Sequence, residues 1–307
     1  MVLSVFIALA VQPLAALLRP ALMPCVWVLL VFSMIRLDRQ AFLAVLAKPA
    51  RVGIVLVWML AAMPVVMWAI VSQTALDAVV AAALVLTAGS SPLMSTPAIG
   101  LILGLDVAFL LAVLVAATLL LPVTLPVVAL SLLGLELETG AAELTLRLGA
   151  LVGSAAFAAW IVRRVFGGAR IEAQGNALDG ASVLLLLIFA IALFDGITAR
   201  LIAEPARMVF WIALSFAVYV GQLLLSAALF GFLWRDKMAA WSAGVSAGCR
   251  NLAVLIAALA GAADDDIITY FALAQFPIYI MPSIMKWGLA RTLRSAAAPP
   301  ISGAGGS

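Results

Sequence analysis

Residues 107–133 carry no charged side chain, and apolar runs of this kind recur along most of the chain. About 20 apolar residues suffice to cross a bilayer as a helix. In lipid the backbone must satisfy its own hydrogen bonds, which leaves only helices and closed barrels. The runs are apolar all round, without two-residue alternation, so they predict spanning helices and not a barrel. Composition agrees: 67% of the 307 residues are hydrophobic and 10% charged, with a mean hydropathy of +1.27, against about 25% charged residues in a soluble domain. The expected fold class is an all-α membrane protein whose first partner is the lipid bilayer.

Several functions are excluded on the same grounds. The chain has two cysteines and no histidine. Cys25 and Cys249 both fall in apolar segments, so neither a disulfide framework nor a zinc or haem site can be assembled; no cofactor and no metal is expected. The net charge is +3, with the basic residues spread over interhelical segments, so no nucleic-acid partner is expected. No Ser-His, HExxH or paired intramembrane Asp pattern occurs, so the chain is not expected to be an enzyme.

Cutting at charge and turn clusters gives ten expected spans: 3–18, 21–36, 42–71, 76–103, 107–133, 141–165, 177–198, 207–234, 238–261 and 267–290. The opening "MVLSVFIALAVQPLAALLRP" lacks a basic region before its apolar core and is read as the first span, not as a cleaved signal. With the N-terminus inside, one face holds Arg36, Arg39, Lys48, Arg51, Arg163, Arg164, Arg170, Arg235, Lys237, Lys286, Arg291 and Arg294. The other holds only Arg19, Arg147, Arg200 and Arg207. This bias predicts that both termini are cytoplasmic, and the expected location is a bacterial inner (plasma) membrane. Residues 295–307 are small and polar and are expected to be a disordered tail.

Two pairs of segments suggest a repeat. "KPARV" at 48–52 matches "EPARM" at 204–208, and Asp106 stands sixteen residues before Pro122 as Asp266 does before Pro282. Five spans per half is odd, so the halves 1–134 and 135–294 are expected to be inverted relative to one another, the plan of many secondary transporters. In such folds discontinuous helices at matching positions mark the site. Span 4 carries Gly89, Ser90, Ser91, Pro92, Ser95, Thr96 and Pro97 in its middle. Ser91-Pro92 and Thr96-Pro97 both read as a cap followed by a first-turn proline. Its counterpart in span 9 is Cys249-Arg250-Asn251, with Arg250 alone in an otherwise uncharged run.

Helices 4 and 9 are therefore expected to break and cross near the bilayer midplane. Arg250, Asn251, Ser91, Ser95 and Thr96 are the candidate substrate-binding residues. Pro92, Pro97, Gly89, Ser246 and Cys249 are the candidates for building the crossover. A half-helix N-terminus and a guanidinium together favour an anion. The alternative for Arg250 is a structural role, satisfying the open carbonyls of the broken helices. Asn251, Ser95 and Thr96 could equally bridge helices, and Gln222, Gln275 and Tyr270 could line a cavity or bond between helices.

The stretches "KPARVGIVLVWMLAAMP", "LDVAFL" and "SAGCRNLAVLIAAL" resemble the bile acid:sodium symporter family, within the bile/arsenite/riboflavin transporter superfamily. The resemblance implies ten helices in two inverted five-helix repeats, with a core of spans 3–5 and 8–10 and a panel of spans 1, 2, 6 and 7. It further implies an organic anion bound between core and panel, with sodium ions behind the crossing. The family's Glu-x-x-x-Gln-Asn run falls on Ser246, Arg250 and Asn251, its span 3 glutamine on Met59, and its span 4 Ser-Asn pair on Thr96-Pro97. Only the asparagine is kept, so the chain resembles a divergent member lacking the sodium-ligand residues.

At about 4 Å a like charge costs roughly 4 kcal/mol even at an effective dielectric of 20, so Arg250 disfavours sodium at that place. The expected function is a secondary transporter of a small organic anion by alternating access, not coupled to sodium, with Arg250 replacing the sodium charge. The alternatives are a sodium- or proton-coupled organic anion symporter, or a transport-inactive membrane binding protein or sensor. Arsenite carriers are disfavoured because span 4 has no cysteine, while the proline breaks leave auxin-type carriers open.

Overall fold

The computed structural model describes residues 12–35, 49–134, 140–259 and 263–297. In chain order its main helices are α1 (Pro13–Ile35), α2 (Pro49–Val71), α3 (Ala78–Gly89), α4 (Thr96–Leu103), α5 (Val107–Leu133) and α6 (Gly140–Phe166). There follow α7 (Gly175–Leu193), α8 (Pro205–Trp234), α9 (Lys237–Gly248), α10 (Leu252–Leu259), α11 (Asp265–Leu273) and α12 (Gln275–Ala297). Short helices Gly168–Ala173 and Ile197–Ala203 lie before α7 and α8. Among the described residues, seven helical stretches are long and apolar enough to cross a membrane: α1, α2, α5, α6 from Ala142, α7, α8, and α11 running into α12 as far as Lys286. The chain is an α-helical membrane protein. Its outward side chains include Leu101, Val123, Leu146 and Phe232, all more than half exposed in the isolated chain, as lipid-facing positions require.

Spans 3–18 and 21–36 were expected as separate helices, and here the structure differs. Gln12–Leu18 passes through a 3-10 turn, Arg19–Ala21, into Leu22–Ile35, so 13–35 is one element of 23 residues. Arg19-Pro20 resembles a break in sequence, but Pro20 occupies the start of the 3-10 turn, where its missing N–H removes no helical bond. Residues 1–11 lie outside the described residues, as do Arg36, Arg39 and Lys48. The last helix runs to Ala297, into the segment expected as a tail; 298–307 lie outside the described residues.

Not every proline ends a helix. Pro122 and Pro126 lie inside α5 and Pro282 inside α12. Pro64 leaves α2 intact but follows a π-turn at Trp58–Ala62: the missing Pro64 N–H deprives the Leu60 carbonyl of its usual donor, and widening the preceding turn relieves the clash.

Two groups of helices emerge from the packing. α1 lies between α6 and α7. The others centre on α8 and α9, the most extensively packed pair, with α11 and α12 against α8, and α2 against α3 and α5. The groups meet where α6 packs on α5 and where α10 lies against α1 and α6. Small residues set the α8–α9 approach: a Cβ added to Gly244 would stand 2.8 Å from the Leu223 carbonyl oxygen, and one at Gly248 would stand 2.9 Å from Leu223 Cβ. This is the close backbone contact that small-xxx-small spacing permits between membrane helices.

Charged pairs gather at the two ends. Arg51 Nη1 lies 3.0 Å from Asp236 Oδ2 at one end. At the other, Arg200 and Arg207 each reach Asp266 at 2.6 Å and Arg19 reaches Asp195 at 3.3 Å. Arg19, Arg200 and Arg207, which the basic-residue count puts on one face, share one end, and Arg51, from the other face, lies at the opposite end. Asp236 also caps α9 by accepting the Ala239 N–H. That N–H first, and the Arg51 guanidinium with it, hold its carboxyl below the usual carboxylate range.

Two outcomes follow. Gly248→Val forces α9 off α8 and lowers stability by about 1–3 kcal/mol, read as a fall in melting temperature of the detergent-purified protein. Asp236→Ala costs about 0.5–2 kcal/mol at neutral pH through the lost cap. Because the folded pKa of Asp236 is depressed, its contribution is complete above the ordinary carboxylate range and disappears as pH falls through the folded value. Melting curves of wild type and Asp236→Ala therefore converge in acid.

Candidate functional site: the crossing of two interrupted helices

α3 stops at Gly89 and α4 starts at Thr96, with Ser90-Ser91-Pro92-Leu93-Met94-Ser95 between them. Pro92 and Pro97 withhold two backbone donors, and Ser90 turns its hydroxyl back onto the Thr87 carbonyl at 2.9 Å, a local bond that competes with helix. The second break is shorter and contains no proline: α9 ends at Gly248, and Cys249-Arg250-Asn251 lead into α10 at Leu252. What the first helix loses, the second supplies. Pro92 and Arg250 pair as an antiparallel bridge, with the Leu93 N–H donating to the Cys249 carbonyl at 2.7 Å and the Asn251 N–H to the Ser91 carbonyl at 2.8 Å. At bilayer depth unpaired amides cost several kcal/mol each, so each break satisfies the other.

Arg250 is 1% exposed. Its Nη1 donates to the Ser90 carbonyl at 2.6 Å and its Nε to Gln222 Oε1 of α8 at 3.0 Å. The guanidinium thus sits at the C-terminal end of α3, where open carbonyls carry partial negative charge. It ties three elements together: α3, the second break and α8. Cys249 Sγ lies 2.9 Å from Tyr219 Oη, also on α8.

Among the expected substrate-binding residues, Ser91, Thr96, Arg250 and Asn251 are buried together at the crossing, while Ser95 is half-buried at the entry to α4. Among the expected crossover residues, Pro92 makes the bridge, Gly89 and Cys249 flank the two breaks, Pro97 occupies the first turn of α4, and Ser246 is buried in the last turn of α9. The buried Ser91 Oγ, Thr96 Oγ1, Ser246 Oγ and Asn251 Nδ2 have no hydrogen-bond partner among the described residues. Met59 lies fully buried in the π-turn of α2 and presents no oxygen.

Two crevices of about 430 and 410 Å3 open between the helix groups. Ile256 of α10 lines the first, together with Arg19, Asp195 and Arg200; Ala257 of α10 lines the second, together with Trp27 and Arg147. None of the five expected substrate-binding residues lines either crevice. They lie deeper, at the inner end of α10.

Sequence reasoning did not single out Gly244 and Gly248, although their x-x-x spacing in a small-residue run was the available signal. It named Gln222 and Tyr270 but did not join Gln222 to Arg250, because no local pattern links positions 28 residues apart. Asp106 caps α5 by accepting the Phe109 N–H. No protein-family model matches the chain, and no curated protein matches its sequence.

Arg250→Met keeps the apolar volume but leaves the Ser90 carbonyl and Gln222 Oε1 without their donor. Each orphaned group costs about 1–3 kcal/mol, so a clear fall in melting temperature is expected, with a smaller one for Gln222→Leu. An Arg250→Met protein as stable as wild type would show that the guanidinium does not bind the crossing.

Proposed function

We propose that the chain is a secondary transporter of a small organic anion, working by alternating access without sodium coupling, with Arg250 holding the helix crossing in place of a bound cation. The observation that carries this reading is the guanidinium buried against the Ser90 carbonyl where the two interrupted helices pair.

An inverted repeat is supported by matched positions. Asp77 and Asp236, 159 residues apart, cap α3 and α9. Asp106 and Asp264, 158 apart, cap α5 and α11. Pro92 and Arg250, also 158 apart, face one another in the bridge. On this reading α1, α6 and α7 form a panel, the remaining helices a core, and the crevices along α10 the path of the substrate.

Sodium does not fit this crossing. It needs several hard oxygen ligands and gains most from charged ones; the Ser91, Thr96 and Ser246 hydroxyls are neutral, Met59 offers a thioether, and the Arg250 guanidinium, bonded to the Ser90 carbonyl, brings a like charge to the same crossing. A permanent charge at that place keeps the crossing assembled whether or not an ion gradient exists. Arg19, Arg147 and Arg200 at the crevices suit an anionic substrate, although each is paired with a carboxylate and so confers orientation more than net charge.

Uptake of radiolabelled small carboxylates and sulfonates into proteoliposomes tests the proposal. Equal uptake with sodium or potassium outside is expected, falling at least about tenfold in Arg250→Gln, in line with the loss of charged hydrogen bonds. Uptake driven by a sodium gradient in the purified system would overturn the uncoupled mechanism. Saturable binding without any uptake would favour a membrane receptor.

A further inference from the structure

Beside the crossing lies a small cavity of about 20 Å3 bordered by α8, α11 and the start of α12. Arg250, Gln222 and Tyr270 all line it. Each brings a buried polar atom, Nη2, Nε2 and Oη respectively, that has no hydrogen-bond partner among the described residues. All three residues are at most 2% exposed.

Their chemistry points one way. A guanidinium nitrogen and an amide nitrogen can only donate, and the Tyr270 hydroxyl still has its proton to place. The Thr87 and Ser215 hydroxyls, also at this cavity, are spent on the carbonyls of Ala83 and Ile212, each at 2.7 Å. No described carboxylate pairs with Arg250, so its charge is answered only by carbonyl dipoles, and a buried charge without a counter-charge is strongly unfavourable.

We infer that this cavity binds a single halide ion, chloride under cellular conditions, through Arg250 Nη2, Gln222 Nε2 and Tyr270 Oη. The volume admits about one water-sized particle, which excludes carboxylates and other polyatomic anions. One water has two lone pairs and would leave one of the three donors orphaned, besides leaving the guanidinium uncompensated. A halide accepts from all three and supplies the missing negative charge. A cation is excluded by the guanidinium charge and by the two donor-only nitrogens, which leave the Tyr270 oxygen as the single acceptor among these atoms. The ion would be an internal counter-charge of the crossing, and its binding does not depend on whether the crevices carry an organic anion.

The test uses the full chain purified in detergent in halide-free buffer. Melting temperature is followed against sodium chloride, sodium bromide and sodium gluconate at constant ionic strength and pH. A saturable rise with both halides and none with gluconate is expected. Tyr270→Phe keeps the ring and removes one donor, so its halide midpoint should rise at least about tenfold, the worth of one hydrogen bond to a charged group. Crystals grown in bromide should show an anomalous peak within hydrogen-bonding distance of the three donors. An equal response to gluconate, an unchanged midpoint in Tyr270→Phe, or density for water without a bromide peak would each overturn the inference. Failure of organic anion uptake would leave it standing, because its readouts are binding and diffraction.

Discussion

The structure depends on one requirement: a helix interrupted inside a bilayer must find donors and acceptors for the backbone it has opened. Between Gly89 and Thr96 water cannot supply them. The second break does, through Leu93 N–H to Cys249 carbonyl and Asn251 N–H to Ser91 carbonyl, and the Arg250 guanidinium caps what remains at Ser90. Two defects that would each be costly alone become a single paired feature. Interruptions of this kind therefore occur jointly, and their meeting point is a rigid centre to which other helices are fitted.

That centre is fastened mainly to α8. Gln222 receives Arg250, Tyr219 meets Cys249, and Leu223 lies against Gly244 and Gly248, all from one face of one helix. The contacts differ in kind, with charge, polar and close-packed apolar interactions within a few turns. By contrast α1 and α6 reach the crossing region through neighbours, α6 by way of α5 and both by way of α10, which borders both crevices. The helices divide into a set that shares the fixed centre and a set that leans on it through α5 and α10, the asymmetry that a rocking movement between two groups would use.

Much of this was legible in the sequence, and the parts that were not share a cause. The polar break of span 4 was readable because Ser91-Pro92 and Thr96-Pro97 combine a cap with a missing donor, and Arg250 stood out as the single charge in an apolar run. The fault at the first span arose from treating Arg19-Pro20 as a terminator, when Pro20 at the start of a 3-10 turn lets the helix continue. Pro122, Pro126 and Pro282 make the same point from inside their helices. Pairings such as Arg250 with Gln222 depend on which faces of distant helices meet, and local periodicity carries no record of that. The family resemblance implies a site between core and panel, but the residues lining the crevices have no local signature, because a crevice is a property of the gap between helix groups.

The bond from Arg250 to the Ser90 carbonyl spans 160 residues. During synthesis the opened backbone of the first half enters the membrane well before its counterpart exists, and it has to wait, hydrated or sheltered, until Cys249 and Asn251 arrive. The first half is thus committed to the bilayer in an incomplete form, and its completion is an event of the second half's insertion. Separated halves expressed as two polypeptides would each expose a polar wound to lipid, and would become stable only by finding one another.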